Sequence, residues 1–301
     1  MEIIKQFDRH LLDLAWSLWT ELGVAGTIRN HQNTLILLEE LILFTSVVSE
    51  EDPRLRDEVI DWCVKFHHYI SISRLKSLFG DFEELVKVPF SQFSSTLNKI
   101  AKVGWPEFTP MAPYHVHLSQ KSTLRPHESS ALLNIRARGI FGAGSRADLI
   151  TFFLVHPNVD FSVADTTEIG YSKRNLAEVL EDLHFGRLFG KFSQGNQHRY
   201  RLNKGSPLFE MLRPIPEYPR SWRLVFKVLL SLRACLKLIE NHSESTKVVE
   251  IINCLAALET PLQKLELTPP SFSNHFPSYL KSFNEWILDW ASLLVNGNAQ
   301  T

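Results

Sequence analysis

The sequence predicts a mainly α fold with one small β-hairpin, arranged in three parts. Apolar side chains recur at helical spacing from the start of the chain to about residue 103, and again after residue 220. Residues 187–203 instead alternate around a Gln-Gly-Asn turn, as the strands of a hairpin do. Proline-rich segments separate these regions. We therefore predict a helical N-terminal domain with a proline-rich linker at 1–125, a central module at 126–213, and a C-terminal helical bundle of three helices at 214–301.

The composition is that of an ordinary soluble globular protein. The 301 residues include 44% hydrophobic and 22% charged residues, and the formal net charge is −1. A chain without excess positive charge has no general attraction for nucleic acid, so any DNA contact requires a local basic patch. The first ten residues are too charged for a signal peptide, and the apolar runs are too short and too interrupted to span a membrane. We expect a soluble, cytoplasmic protein that makes no membrane contact.

Cysteines and histidines give no pattern that is typical of a metal site. Cys63, Cys235 and Cys254 lie far apart in apolar helical segments, and their odd number argues against a disulfide framework. The adjacent pair His67-His68 lies on a predicted helix, where neighbouring side chains point about 100° apart. The alternating pair His115/His117 has no acidic or cysteine residue near it in sequence. We expect reduced cysteines, no metal and no cofactor.

Cap residues and breakers divide the N-terminal domain into helices. Asp52 is a typical N-cap, and Pro53 suits the first helical position that follows it. The acidic pairs Glu39-Glu40 and Glu83-Glu84 are predicted to lie on solvated faces, rather than to act as acid–base dyads. The predicted helices cover residues 2–22, 32–48, 53 to about 70, 73–79 and 91–103.

The central module begins with helices of different lengths. Ser145 is predicted to cap a helix over Arg146–His156, and a short helix follows at about residues 163–169. Gly170 then stands where a sharp reversal requires a residue that tolerates positive φ. Ser172 caps the next helix. The buried stripe of that helix is predicted to consist of Leu176, Val179, Leu180 and Leu183.

The stripe leaves polar side chains at the amino-terminal end of the helix that Ser172 caps. In a helix-turn-helix, the early positions of the second helix enter the major groove of DNA. Lysine and arginine there bond guanine or phosphate, and asparagine reads adenine. The predicted major-groove residues are Tyr171, Ser172, Lys173, Arg174 and Asn175.

The hairpin that follows has a polar, basic tip. Such a composition suits contact with phosphates or with the minor groove. The predicted contacts of this wing are Lys191, Asn196, Gln197, His198, Arg199 and Arg201.

About a quarter of the chain resembles the winged helix-turn-helix domains of bacterial and archaeal transcriptional regulators, in the broad ArsR/MarR-like group. The matching positions are Phe141-Gly142, Ser145-Arg146-Ala147, Arg199-Tyr200, Asn203 and Ser206-Pro207-Leu208. The resemblance implies a three-part DNA-binding module whose hairpin is the wing, and such domains often accompany minimal nucleotidyltransferases.

Nucleotidyl transfer itself is not expected in this chain. The letters GAGSR look like part of a nucleotidyltransferase motif, but that chemistry needs a nearby carboxylate pair to hold magnesium. Asp148 has no second acid until Asp160. The sequence also lacks a glycine-rich phosphate loop, an HExxH zinc motif and a nucleophile elbow, so we expect no enzyme.

The charge count concentrates basic residues in the module, though modestly. Residues 134–204 contain ten lysines and arginines and seven acids, a balance of +3 in a chain whose total is −1. We expect a dimeric, sequence-specific transcriptional regulator that binds double-stranded DNA. The alternative is a non-catalytic scaffold that binds a protein partner through the same module and the tryptophan-rich helices. The identity of any effector stays open.

The C-terminal part is predicted to form helices at residues 221–241, 245–265 and 277–296. Each of them carries an apolar stripe, and the last has a broad apolar face that must pack on something. The sequence leaves two alternatives, a bundle with the N-terminal helices or the interface of a homodimer.

Overall fold

The computed structural model describes residues 2–124, 129–203, 205–216, 220–272 and 275–297. These residues are mainly helical, with 63% in helix, and they form twelve α-helices, short 3-10 helices and one small antiparallel sheet. The mainly α class predicted from the sequence is confirmed. The predicted boundary at 125–126 lies outside the described residues, as do residues 217–219 of the second proline-rich segment. No helix in the described ranges is long and apolar enough to cross a membrane.

The N-terminal part is built around one short helix that is buried on all sides. Helix α2 packs against α1 and α4, and every one of its residues is buried. Its sequence, LEELILFTSVV, carries apolar side chains around the whole helix, which is typical of a central helix. The four helices of this part are α1 Glu2–Glu21, α2 Leu38–Val48, α3 Pro53–Phe66 and α4 Ile72–Ala101.

Local signals place the third helix correctly and the start of the second incorrectly. The Asp52 side chain accepts the first backbone N–H groups of α3, and Pro53 takes the first helical position, as predicted. The second helix was predicted from residue 32 but begins at Leu38. Before Leu38 the backbone bonds elsewhere: Ile36 N–H donates to the Ala131 carbonyl at 3.1 Å, and Trp222 Nε1 donates to the Leu35 carbonyl at 2.7 Å.

The two short helices predicted at 73–79 and 91–103 are one helix of 30 residues, α4. Pro89 lies inside it, where proline removes a backbone hydrogen bond and is expected to end a helix. A continuous buried stripe holds the helix together across this position. The stripe consists of Leu75, Leu78, Phe79, Phe82, Val86, Phe90, Phe93 and Leu97.

The proline-rich segment after α4 was predicted as a linker, and its described part, residues 104–124, is an irregular strap bound along α3 and α4. Its backbone N–H groups are held by helix side chains: Trp105 by Asn98, Tyr114 by Thr96 and Gln120 by Asp61, at 2.8, 2.9 and 3.0 Å. These bonds satisfy backbone groups that would otherwise lie unpaired against the helices. The strap is therefore part of the N-terminal fold.

The central module follows in the order helix, helix, strand, helix and hairpin. Its α-helices and strands are α5 Leu133–Phe141, α6 Ser145–Val155, β1 Phe161–Ser162, α7 Lys173–Phe185, β2 Phe189–Gln194, β3 Gln197–Leu202 and α8 Leu208–Met211. A 3-10 helix, Asp165–Ile169, stands where a short helix was predicted. The strands form an antiparallel sheet in the order β1-β3-β2, with Phe161 opposite Tyr200 and Phe189 opposite Leu202. The short strand β1 was not predicted, because two residues carry no alternating pattern.

The caps of the module differ from the prediction at one helix. Ser145 was predicted to be the N-cap of α6 but is its first residue, and the N-cap is Gly144, whose carbonyl accepts Asp148 N–H at 3.2 Å. Ser172 caps α7 as predicted, and its side chain accepts the backbone N–H of Asn175. The hairpin turn is at Gly195 and Asn196, with Gly195 at a φ of 59°.

The C-terminal part packs onto the N-terminal helices, which is the first of the two predicted alternatives. Helix α12 lies against α1, and α9 lies against α2. Cys235 and Cys254 lie between α9 and α10, where their thiols donate to the carbonyls of Glu250 and Ser231 at 3.9 Å. The neighbouring Cys254 thiol and burial raise the pKa of Cys235. The helices are α9 Trp222–Ile239, α10 Glu244–Ala257, α11 Glu259–Lys264 and α12 Phe276–Val295.

The described residues form two hydrophobic cores. The larger core joins the N-terminal and C-terminal helices, and it includes Leu132 and Ile135 of the module. The smaller core fills the module, and it includes Leu35 from the segment before α2. The module is thus embedded in a helical body made of both ends of the chain.

Candidate nucleic-acid interface

The amino-terminal end of α7 is exposed, and its geometry is fixed by two local devices. Gly170 adopts a φ of 93°, and a Cβ there would lie 3.3 Å from Leu78 Cδ2. A larger residue is therefore disfavoured both by the backbone conformation and by the close contact. Ser172 Oγ then accepts the N–H of Asn175 at 3.3 Å. As a result Lys173, Arg174 and Asn175 extend into solvent, while the opposite face of α7 is buried.

Tyr171 differs from the prediction, which placed it at this exposed end. Its side chain is half-buried, and its hydroxyl donates a hydrogen bond to Asp148 Oδ2 at 2.8 Å. The same hydroxyl lies 3.1 Å from Ser71 Oγ of the N-terminal part. Because Asp148, a buried carboxylate of the module itself, accepts the hydroxyl, Tyr171 points inward to the junction with the helical body, where Ser71 lies next to it, instead of facing solvent.

The basic side chains of the wing are paired with acids of the same module. Lys191 Nζ lies 2.6 Å from Glu181 Oε1, and Arg199 Nη2 lies 3.6 Å from Asp165 Oδ2. Arg201 binds Asp160 through two nitrogens. The tip residues Asn196, Gln197 and His198 are exposed, as predicted, and His198 Nδ1 lies 3.3 Å from Ser193 Oγ.

The same pairing extends to α7, so most exposed basic side chains of the module already have an acidic partner within it. Arg174 Nε donates to Glu178 Oε1 at 2.9 Å, one turn along the helix, and Arg146 Nη2 lies 2.8 Å from Asp182 Oδ2. Lys173 has no ion-pair partner among the residues that the structure describes. Lys204, counted in the charge balance, lies outside them. Pairs this exposed are weak and exchange readily with phosphate.

A second cluster of charge, which the sequence did not predict, lies buried where the module meets the helical body. Arg138 of α5 bonds both oxygens of Glu39 at 2.7 and 3.0 Å and both oxygens of Asp148 at 2.9 and 2.8 Å. Arg74 of α4 bonds Glu39 Oε2 at 2.6 Å and also bonds Glu40. We call these five residues the junction network. The prediction that Glu39 and Glu40 face solvent is wrong, because both are fully buried.

The junction network contains three carboxyl groups and two guanidinium groups, so it carries one excess negative charge when all are ionised. Burial raises the pKa of Asp148, but Arg138 and Arg74 outweigh burial and lower that pKa to about 2. Burial also raises the pKa of Glu40, and Arg74 offsets this effect only in part. Glu40 is thus the carboxyl group of the network whose ionised form is least stabilised.

The sequence held one signal for this network. Glu39 and Glu40 interrupt a run, TLILLEELILF, that has no polar face on which a solvated carboxylate could sit. Charged residues in a helix that is apolar all round are expected to be buried and paired. Their partners, Arg74 and Arg138, lie 34 to 99 residues away, and nothing local identifies them.

The described residues form no candidate metal site. Within the described ranges, no three His, Cys, Asp or Glu side chains come close enough together to hold a metal ion. His67 Nδ1 is taken by the Val64 carbonyl at 3.0 Å. Comparison of the chain with protein-family models, with curated proteins and with solved structures found no match.

Proposed function

We propose that residues 126–213 form a winged helix-turn-helix and that the protein is a sequence-specific transcriptional regulator that binds double-stranded DNA. The observation that carries this proposal is the capped, exposed end of α7. Lys173, Arg174 and Asn175 extend from it together, and they are side chains that read guanine, phosphate and adenine.

The order of the elements supports the winged helix-turn-helix. α5, α6, β1, the 3-10 helix, α7 and the β2–β3 hairpin follow one another, and β3 lies between the other two strands. The positive φ of Gly170 sets the turn that precedes α7. In this arrangement α7 is the recognition helix and the hairpin is the wing.

The ion pairs define how contact with DNA would occur. Arg174 is 91% exposed and would exchange Glu178 for a base edge or a phosphate. Lys191 and Arg201 would exchange Glu181 and Asp160 in the same way at the wing. Because the acids stay nearby, sequence readout rather than general electrostatic attraction must supply most of the affinity.

A homodimer completes the proposal. Two copies of α7 spaced by one turn of DNA would read an inverted repeat, which is the usual solution for a helix-turn-helix regulator. The expected mass in solution is therefore that of two chains, measured by light scattering.

One observation favours the alternative, a scaffold that binds a protein partner. Phe185, the last residue of α7, is 91% exposed, and Phe192 of the wing is also exposed. The Phe185 ring in particular lies almost wholly in water, and contact with a partner would remove this apolar surface from solvent. If the chain selects no duplex and a Phe185→Ser variant loses a co-purifying protein that the unaltered chain retains, the alternative is supported.

The test of DNA binding is selection of duplexes from a random-sequence library by the full chain, followed by affinity measurements from 50 to 200 mM salt. We expect an enriched sequence whose binding weakens with salt, because each phosphate contact contributes about 0.9 to the logarithmic slope. The double variant Lys173→Ala/Arg174→Ala should lose the sequence preference.

The matched control is Lys87→Ala/Lys281→Ala, which removes the same formal charge from two exposed lysines on α4 and α12. This variant should bind the selected duplex as the unaltered chain does. The proposal is wrong if no duplex is bound at low salt, or if both double variants lose affinity equally.

A further inference from the structure

A cavity of about 460 Å³ lies between the module and the helical body. Its volume is within the range of sites that hold small ligands. One side is formed by Glu40 of α2 and Asn134 of α5, next to the junction network. The other side is formed by Arg220 and by the first turns of α9, with Lys227 and Lys264 also in the lining.

Two buried oxygen atoms among the lining residues lack a hydrogen-bond donor. Glu40 Oε1 is bound by Arg74, but Glu40 Oε2 has no hydrogen-bond partner among the described residues. Asn134 Nδ2 donates to Asp148 Oδ1 at 2.9 Å, while Asn134 Oδ1 is equally without a partner there. Both residues are 1% exposed. Buried acceptors without donors are costly and uncommon, so this side of the cavity is suited to an N–H group.

The excess negative charge of the junction network strengthens this preference. The network has one carboxyl group more than it has guanidinium groups, and Glu40 is the member that lines the cavity with a free oxygen. A protonated amine next to Glu40 would supply the missing positive charge, and a neutral N–H group would supply only the missing hydrogen-bond donor.

Arg220 gives the other side of the cavity the opposite character. It is 8% exposed, and its guanidinium lies 5.2 Å from the centre of the Trp222 ring. In the part of the chain that the structure describes, Arg220 Nη1 has no hydrogen-bond partner and the residue forms no ion pair. Burial lowers the pKa of Arg220 to about 10, as expected for a cation that lacks its anion.

Two lysines add to this positive side. Lys227 of α9 and Lys264 of α11 line the same cavity, and neither has an ion-pair partner within the described ranges. Apolar side chains, Leu35, Phe152 and Val155, form part of the lining. The lining thus combines hydrogen-bond acceptors, cations and apolar side chains; it also contains Glu168, and Asp81, which pairs with Arg223.

We propose that this cavity binds a small molecule that carries both an N–H donor and a carboxylate or phosphate group. The donor bonds Glu40 Oε2 and Asn134 Oδ1, and the anionic group bonds Arg220, with Lys227 and Lys264 nearby. The apolar side chains pack against the part of the molecule between them. This inference does not depend on DNA binding.

The experiment is calorimetric titration of the full chain, without DNA, in two arms. The carboxylate arm uses tryptophan, with tryptamine and indole-3-propionate as forms that lack the carboxylate and the amine. The phosphate arm uses adenosine monophosphate, with adenosine and ribose 5-phosphate as the truncated forms. We expect the complete molecule of at least one arm to bind about tenfold more tightly than both of its truncated forms.

Variants locate the site. Arg220→Gln should reduce the affinity for the complete molecule to that of the form without the anion, and should leave the affinity for that truncated form unchanged. Arg213→Gln, at an exposed arginine that pairs with Glu210, is the matched control and should change nothing. If Arg220→Gln fails to fold, Lys227→Gln/Lys264→Gln tests the same side of the cavity and should weaken binding severalfold.

Three results would overturn the inference. In the first, neither complete molecule binds more tightly than its truncated forms. In the second, the folded Arg220→Gln variant binds as the unaltered chain does. In the third, Arg213→Gln weakens binding as much as Arg220→Gln. Loss of DNA binding alone would contradict the proposed function and would leave the result of these titrations intact.

Discussion

The arginine–carboxylate pairs at the junction and on the surface of the module use the same chemical groups with different consequences. Arg138 is fully buried and bonds two carboxylates through all three of its nitrogens. Arg174 is exposed and bonds Glu178 through one nitrogen, one helical turn away. The first holds two parts of the chain together, and the second is free to exchange its partner. Counting charges in the sequence gives both arginines equal weight.

The largest expected loss of stability comes from a substitution that breaks the junction network. Arg138→Gln leaves Glu39 and Asp148 buried without their shared cation, and removal of one partner from a buried pair costs about 3–5 kcal/mol. The free energy of unfolding, from urea denaturation at pH 7, should fall by that amount. Arg174→Gln is the control and should leave the unfolding midpoint unchanged. Equal losses in the two variants would contradict the distinction between the regions.

A fall in pH should lower the stability of the junction network by protonating Asp148. Its pKa is about 2 in the folded protein and 3.8 in its ordinary state, so ionised Asp148 stabilises the fold above pH 4 and loses this effect as the pH falls towards 2. The shift corresponds to about 2 kcal/mol. Asp148→Asn should be less stable than the unaltered chain at pH 7, and this difference should shrink by about that amount near pH 2.

Urea denaturation at several pH values measures this difference. Asp182→Asn, which removes a carboxylate from an exposed pair, is the control and should change the free energy of unfolding only slightly at pH 7. A constant deficit of Asp148→Asn from pH 7 to pH 2 would show that the carboxylate does not act in its ionised form.

Tyr171 lies between the junction network and the exposed end of α7, so one substitution there distinguishes an effect on stability from an effect on DNA binding. Tyr171→Phe removes the hydroxyl that donates to Asp148 at 2.8 Å, and should lower the free energy of unfolding by about 1.5 kcal/mol. Because this hydroxyl faces inward, the affinity for the selected duplex should change less than twofold. A large loss of DNA affinity at unchanged stability would instead restore Tyr171 to the DNA-contacting set.

The smallest effect concerns the exposed pairs. Glu178→Gln removes the acid that Arg174 must leave when it contacts DNA, so duplex binding should tighten by a small factor. Glu285→Gln breaks the corresponding pair with Lys281 on α12, and serves as the control. Anisotropy titrations with the selected duplex make the comparison. Equal affinities of the two variants would mean that Arg174 does not contact DNA.

Features that depend on residues a few positions apart could be predicted. The Asp52 cap with Pro53, the Ser172 cap, and the turn at Gly170 all follow the sequence, because donor and acceptor lie within one helical turn. The exposure of Lys173, Arg174 and Asn175 follows for the same reason. Pro89 shows the limit, since a buried stripe contributed by many neighbours overrides one local breaker.

Features that depend on distant pairing could not be predicted. Glu39 and Arg138 are 99 residues apart, and the wing cations find acids on α7 and before β1. The cavity has the same origin, because Glu40, Asn134 and Arg220 meet only after the chain has closed on itself. One sequence shows which groups carry charge, but not which of them will be neighbours.

Leu35 belongs to the smaller core and Glu39 to the junction network, although both precede the module in the chain. This arrangement limits how the gene can recombine. Recombination that exchanged the module at residue 129 would leave Leu35 and Glu39 facing side chains with which they had never been selected. The module and the segment that contains Leu35 and Glu39 are therefore expected to be inherited together. Substitutions at Glu39, Arg138 and Asp148 are expected to accompany one another in any lineage that keeps this junction.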